Sequence, residues 1–400
     1  MALIRSSGAR DMRVDFFRGL ALWWIFTDHV PGDVMGNYSL HSVALCDAAE
    51  VFVLLAGFGA GKAYASRMDR SGWLRGAAGA VQRAWTLYVA HIFLFVVYAA
   101  QVSYGAMALE RSNYLDESGL NVLAGAPYNA LLKALTLEYQ PSLLNILPLY
   151  IVLLLMFALA MPLLRWPKIL AILSLTLYAT VRGANFNLPS WTGDTWFFNP
   201  FTWQLLFMIG AILAYKPPAM PPRSVCRIVD WVAIAVVVFG LIVIFGIWDE
   251  SFLALRLPWS ITRALLIIDK TNLDPLRVAS ILAFLWLAVR YVPPGAAWLR
   301  SRLALPFVLM GQHSLSVFCS GIFFGFICRL MLEWDDRAAM QFAVNAGGFL
   351  AMLGVAALAA WYGSEPSRRP APVPVRNDTG VAVPTSVITT VGGSPWLNSN

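Results

Sequence analysis

The chain has 400 residues, of which 59% are hydrophobic and only 13% charged, with a formal net charge of +7. A soluble domain averages about 25% charged residues. With a mean hydropathy of +0.65, this composition excludes an ordinary soluble protein and predicts an all-α, polytopic integral membrane protein. The positive excess fits Lys and Arg gathered on one side of a membrane and does not indicate a nucleic-acid partner.

Residues 1–13 are polar and basic and read as a cytoplasmic N-terminal segment. They do not read as a signal peptide, because the apolar run that follows keeps Asp15 and Arg18 and lacks a small-residue cleavage site. About ten apolar runs are long enough to be transmembrane helices. They lie near 14–30, 47–64, 82–101, 142–164, 168–182, 201–215, 230–248, 276–292, 305–328 and 339–362. Residues 14–363 are therefore expected to form one membrane domain. Residues 364–400, rich in Pro, Ser, Thr, Val and Gly without an apolar period, read as a disordered cytoplasmic tail.

Most of the Lys and Arg between the runs fall on the side of the N-terminus, and segment 31–46 opposite has none. That bias places both termini in the cytoplasm. There is no internal repeat and no matched pair of broken helices of the kind transporters carry. Segments 102–141, 183–200 and 249–275 on the far side combine Trp, Tyr and Phe with Asn and Asp. Such residues stack on sugar rings, and they equally form the interfacial aromatic belt of membrane proteins. The four cysteines lack metal spacing and read as packed thiols, so no metal site is predicted.

The chemistry concentrates in residues 12–50. Each charge near a bilayer centre costs about 2.5–3.5 kcal/mol, yet the first run carries Asp15, Arg18, Asp28 and His29. Arg18 and His29 are eleven residues apart, which on a helix puts them within ~20° of one face and ~16 Å apart. Asp15, Arg18, Leu22, Ile25 and His29 thus form one stripe. A lone histidine at a helix end is usually structural. The shared stripe and the nearby Asp47 and Glu50 make His29 a candidate general base. Glu50 or Asp47 is expected to orient the ring, since adjacent Asp28 points away on a regular helix. Arg18 needs an anion, which is either Asp15 at i−3 or an anionic donor entering from the cytoplasm. The five basic residues from Lys62 to Arg83 suit phosphates or simple topology determination.

Other polar points within the runs are His91, Gln204, Gln312-His313-Ser314 and Asn345. Adjacent His313 and Ser314 do not make a triad on one helix, and no Gly-x-Ser-x-Gly elbow is present. His313 reads as a packing or substrate-lining residue.

Several of these segments together resemble a known family. They are Met12-Arg13-Val14-Asp15-Phe16-Phe17-Arg18-Gly19, with His29 after ten residues, and Asp47-Ala48-Ala49-Glu50-Val51-Phe52. Asn199-Pro200-Phe201-Thr202-Trp203-Gln204, Asp269-Lys270-Thr271-Asn272-Leu273 and Gly311-Gln312-His313-Ser314-Leu315 extend the match. Over residues 10–362 the chain resembles the acyltransferase-3 superfamily, in particular its OpgC branch, associated with succinylation of osmoregulated periplasmic glucans.

The resemblance implies a multi-pass protein of the bacterial inner membrane, with acyl-CoA as co-substrate and no bound cofactor. It implies a glucan or other polysaccharide as acceptor and glucan-biosynthesis proteins as partners. The catalytic role falls on His29, with Glu50 and Asp47 as supporting acids. Arg18, Asp15, Asp28, Arg83, Gln204 and His313 become candidate substrate-binding residues. The superfamily's Arg-Arg-x-x-Arg run is reduced here to Arg83 in Gln82-Arg83-Ala84-Trp85. Two alternatives are O-acetylation of another surface polysaccharide and a proton-coupled transporter or flippase using the Arg18–His29 stripe.

Overall fold

All ten apolar runs are helical over most of their length in the computed structural model, which describes residues 11–193, 195–248 and 268–364. Among the described residues there is no strand, only an isolated bridge between Pro189 and Thr195. Asp249, Glu250, Arg256, Trp259 and Arg263 of the third aromatic segment lie outside the described residues. So do most of the N-terminal segment and the expected tail beyond Ser364. Residues 1–360 form one compact unit, and the second unit, 361–400, is described only through Ser364.

In chain order, α1 spans Met12–Asp28. α2, Ala48–Ala60, runs through a π turn at Gly61–Ala65 into α3, Ser66–Ser71. α4 is Trp73–Ala108. The short α5 (Asn113–Ser118), α6 (Asn121–Gly125) and α7 (Pro127–Leu135) follow. Then come α8 (Ile146–Ala160), α9 (Pro167–Gly183), α10 (Pro200–Tyr215) and α11 (Arg223–Trp248). The chain continues with α12 (Pro275–Tyr291), α13 (Leu305–Gln312), α14 (Ser314–Trp334) and α15 (Ala338–Ser364).

Six helical stretches among the described residues are long and apolar enough to cross a membrane: Ala48–Ser71, Trp73–Ala108, Ile146–Arg165, Arg223–Gly246, Ser314–Trp334 and Ala338–Gly363. α1, α9, α10 and α12 have only 16–17 residues. At 1.5 Å per residue they reach about 24–26 Å, a few ångströms short of a hydrocarbon core of about 30 Å.

Three expectations change. The run 305–328 is two helices, because the backbone leaves helical geometry at His313 (φ −113°, ψ 37°). The basic segment 62–83 is a helical hairpin turned at Gly72 (φ +88°), a conformation glycine adopts without strain. Segment 102–141 contains helices α5–α7.

Two close crossings set the core. A Cβ on Gly19 would run into the Phe307 carbonyl and one on Gly311 into that of Asp15, so α1 and α13 touch backbone to backbone. Gly57 and Gly210 do the same for α2 and α10 against Phe207 and Leu54. Small residues let helices approach closely where lipid gives no hydrophobic drive to associate. The break at His313 comes two residues after Gly311, where the first of these crossings has drawn α13 onto α1.

Candidate functional site

α1 ends where Pro31 removes a donor and Gly32 takes φ +85°. His29 caps it, its N–H donating to Ile25 O and Phe26 O, both at 3.2 Å. Leu22, Ile25 and His29 of the predicted stripe, with Phe26, line a narrow slot of about 10 Å³ against Gly321, Gly325 and Met352, while Asp15 and Arg18 are not in its wall. The ring Nδ1 is buried without a hydrogen-bond partner. His29 also lines two wider cavities, of about 460 Å³ and 200 Å³. The first shares Ser142, Asn145 and Phe197 with a third space of about 640 Å³, also lined by Gln140, Ser190, Thr192 and Trp196.

Asp47 and Glu50 do not hold the imidazole as the sequence suggested. Asp47 caps α2, accepting from the Ala49 N–H at 2.7 Å, while Glu50 accepts from the Asp47 N–H at 3.0 Å. Their remaining oxygens face cations. Arg277 Nε lies 2.5 Å from Glu50 and its Nη2 3.0 Å from Asp47, and Lys270 Nζ is 2.5 Å from Asp47. A fully buried carboxylate such as Glu50 needs that company, because desolvation otherwise costs several kcal/mol. The charges acting on the His29 ring are Lys270, Asp28 and Asp47.

Lys270 owes its position to two segments far apart in sequence. Trp203 Nε1 donates to the carbonyls of Lys270 and Thr271, at 3.2 and 3.1 Å. The Asn199 N–H donates to Thr271 O and its side chain to Asn272. Tyr178 and Arg182 donate to Leu273 O and Asn272 O. The ammonium then stands over the rings of Phe197 and Phe198, about 5.8 and 5.7 Å from their centres.

Asp28 reaches neither His29 nitrogen. Its carboxylate lies 3.2 Å from His41 Nδ1, which is also 2.6 Å from Ser39 Oγ. The Asp28 carboxylate raises the pKa of half-exposed His41 above the ordinary histidine value. The loop carrying His41 is tied down by α15. Asn345 donates to Asp33 at 2.7 Å and Gln341 to Gly32 O at 2.8 Å.

At the other end of the stripe, Arg18 donates to Leu55 O on α2 at 2.9 Å and lies 4.0 Å from Asp15. Gln312 donates to Asp15 at 3.5 Å. The hairpin of α3 and α4 brings Arg83 together with Arg67 around Tyr64.

Gln204 is elsewhere. Its amide accepts from Ser174 Oγ at 2.7 Å and donates to Ser174 O at 2.8 Å, joining α10 to α9, and it lines none of the cavities above. His313 sits at the helix break and is likewise absent from their walls. His91 is buried with both ring nitrogens unpartnered and lines none of the cavities above. Sequence reasoning missed Arg277, His41, Leu143, Ser142 and Asn145. Only Lys270 carried a signal, within the Asp269–Leu273 segment. Among the described residues, no His, Cys, Asp and Glu side chains converge as metal ligands would.

A family model described as OpgC protein matches residues 10–364, well over half of the chain. No curated protein and no solved structure matches it.

Proposed function

The chain belongs to the OpgC family, and from that premise we propose that it is a membrane acyltransferase whose general base is His29. One observation carries the reading. An imidazole with a buried, unpartnered nitrogen stands where a slot along α1 meets two wider cavities lined by hydroxyl, amide and aromatic side chains.

The donor is acyl-CoA, with succinyl the acyl group suggested by the family, and the acceptor is a hydroxyl of a periplasmic glucan. His29 takes the hydroxyl proton as the oxygen attacks the thioester carbonyl. The new C–O bond forms, the C–S bond breaks, and coenzyme A leaves as a thiolate that then takes a proton. Burial and the Lys270 ammonium keep the resting ring neutral and able to accept a proton, while Asp28 and Asp47 offset part of the cost of the imidazolium formed on the way. Arg83 with its neighbour Arg67 attracts the donor's phosphates, and Arg18 adds positive charge on the same helix as His29. The aromatic and polar walls around Phe197, Trp196 and Asn145 suit a sugar polymer.

The test is mass spectrometry of periplasmic and surface glycans from cells carrying wild-type protein, no protein, or His29→Ala at equal expression. The reading expects a mass increment with wild type alone, and its size separates succinyl from acetyl. Identical glycans in all three would discard acyl transfer and leave transport as the function to pursue.

A further inference from the structure

Leu143 lines all three spaces that meet at His29: the slot and both adjoining cavities. Its φ is +73°, in the left-handed region where a bulky side chain is an outlier. Such a conformation persists only when the surroundings over-determine it, and here they do. On one side the Ser142 N–H donates to Ser118 O at 2.9 Å and its hydroxyl to Glu117 O at 3.1 Å. The Tyr139 hydroxyl donates to Gly119 O at 2.6 Å. On the other side Leu144 is fully buried, and its N–H turns back to Pro141 O at 3.1 Å.

Resting on the acyltransferase reading, we propose that Leu143 is the partition where the narrow slot and the two wider cavities meet beside His29, keeping water from the reacting thioester. An acyl thioester poised beside His29 faces two nucleophiles, the sugar hydroxyl and water. Attack by water would also break the C–S bond, giving a free carboxylic acid and coenzyme A in place of an ester. A branched apolar side chain held at the junction excludes water until a sugar ring fills the cavity. Leu143 is thus a positioning residue that couples donor cleavage to transfer.

The experiment uses the purified full-length chain with succinyl-CoA or acetyl-CoA and a soluble β-glucan, reading thiol released against ester formed. Wild type should release close to one thiol per ester. Leu143→Ala, and Leu143→Gly, whose backbone accepts φ +73° without strain, should raise that ratio several-fold. Leu143→Met, which refills the junction, should bring it back towards wild type.

Loss of both products in proportion would overturn the proposal, as would an unchanged ratio. Failure of every Leu143 variant to accumulate would do so too, by assigning the residue to folding. If wild type forms no ester with either donor, the acyltransferase reading itself falls, which is a separate result.

Discussion

Two polar regions of the bundle are built in opposite ways. Where α9 meets α10, hydrogen bonds close locally: Gln204 with Ser174, Asn199 with Asn272 and Phe186 O, Trp203 with the 270–271 carbonyls. Around His29 a ring nitrogen is buried without a partner, a leucine is held at positive φ, and open space adjoins both. A satisfied buried network fixes a fold, whereas a ring that borders open space offers a substrate a place to bind. His91 supplies the contrast, since both its ring nitrogens are unpartnered yet it lines none of the cavities that meet at His29.

The sharpest test of that contrast is His29→Ala. Loss of a general base should lower the transfer rate by about 10²–10⁴-fold, while the thermal midpoint of the purified protein stays near wild type. Substantial remaining transfer would break the comparison at its functional pole. Arg277→Met should act on stability instead. It strands fully buried Glu50 without its closest cation, and breaking such a pair costs about 3–5 kcal/mol. Denaturation in detergent would reveal this, and a midpoint unchanged from wild type would mean that Glu50 finds another partner.

Gln204→Leu belongs to the satisfied region. It leaves the buried Ser174 hydroxyl without its acceptor and removes the second bond to the Ser174 carbonyl, a loss of about 1–3 kcal/mol, with kcat/KM per folded molecule unchanged. A fall in kcat/KM beyond the unfolded fraction would return Gln204 to the substrate path. The smallest effect concerns His41. Its pKa is raised in the folded state, so its stabilising contribution is fully present below pH 6.5 and is lost as pH rises through the folded value. The midpoint difference between wild type and His41→Gln should therefore be largest in mild acid and shrink at alkaline pH. A gap independent of pH would sever Asp28–His41 from the loop's stability.

Most of the helices, the family and the placement of His29 on a stripe with Arg18 were legible in the sequence, because apolar run length and helical period are local properties. Gln204 illustrates the limit: a polar residue in an apolar run signals a partner, but whether that partner is substrate or Ser174 depends on which helix lies opposite. Asp47 and Glu50 illustrate it again. Their spacing encodes a capping box, while the cations facing them come from residues more than two hundred positions later. The turn that sets Leu143 at the junction left no trace in a sequence that reads there as the start of an apolar run.

By itself, then, the sequence determined the membrane class, the helices and one histidine, since each follows from the burial and periodicity of neighbouring residues. The tertiary structure alone decided which charges surround that histidine, where the space beside it opens and which leucine divides it. Those depend on contacts between segments remote in the chain, made possible by backbones that glycines allow to touch.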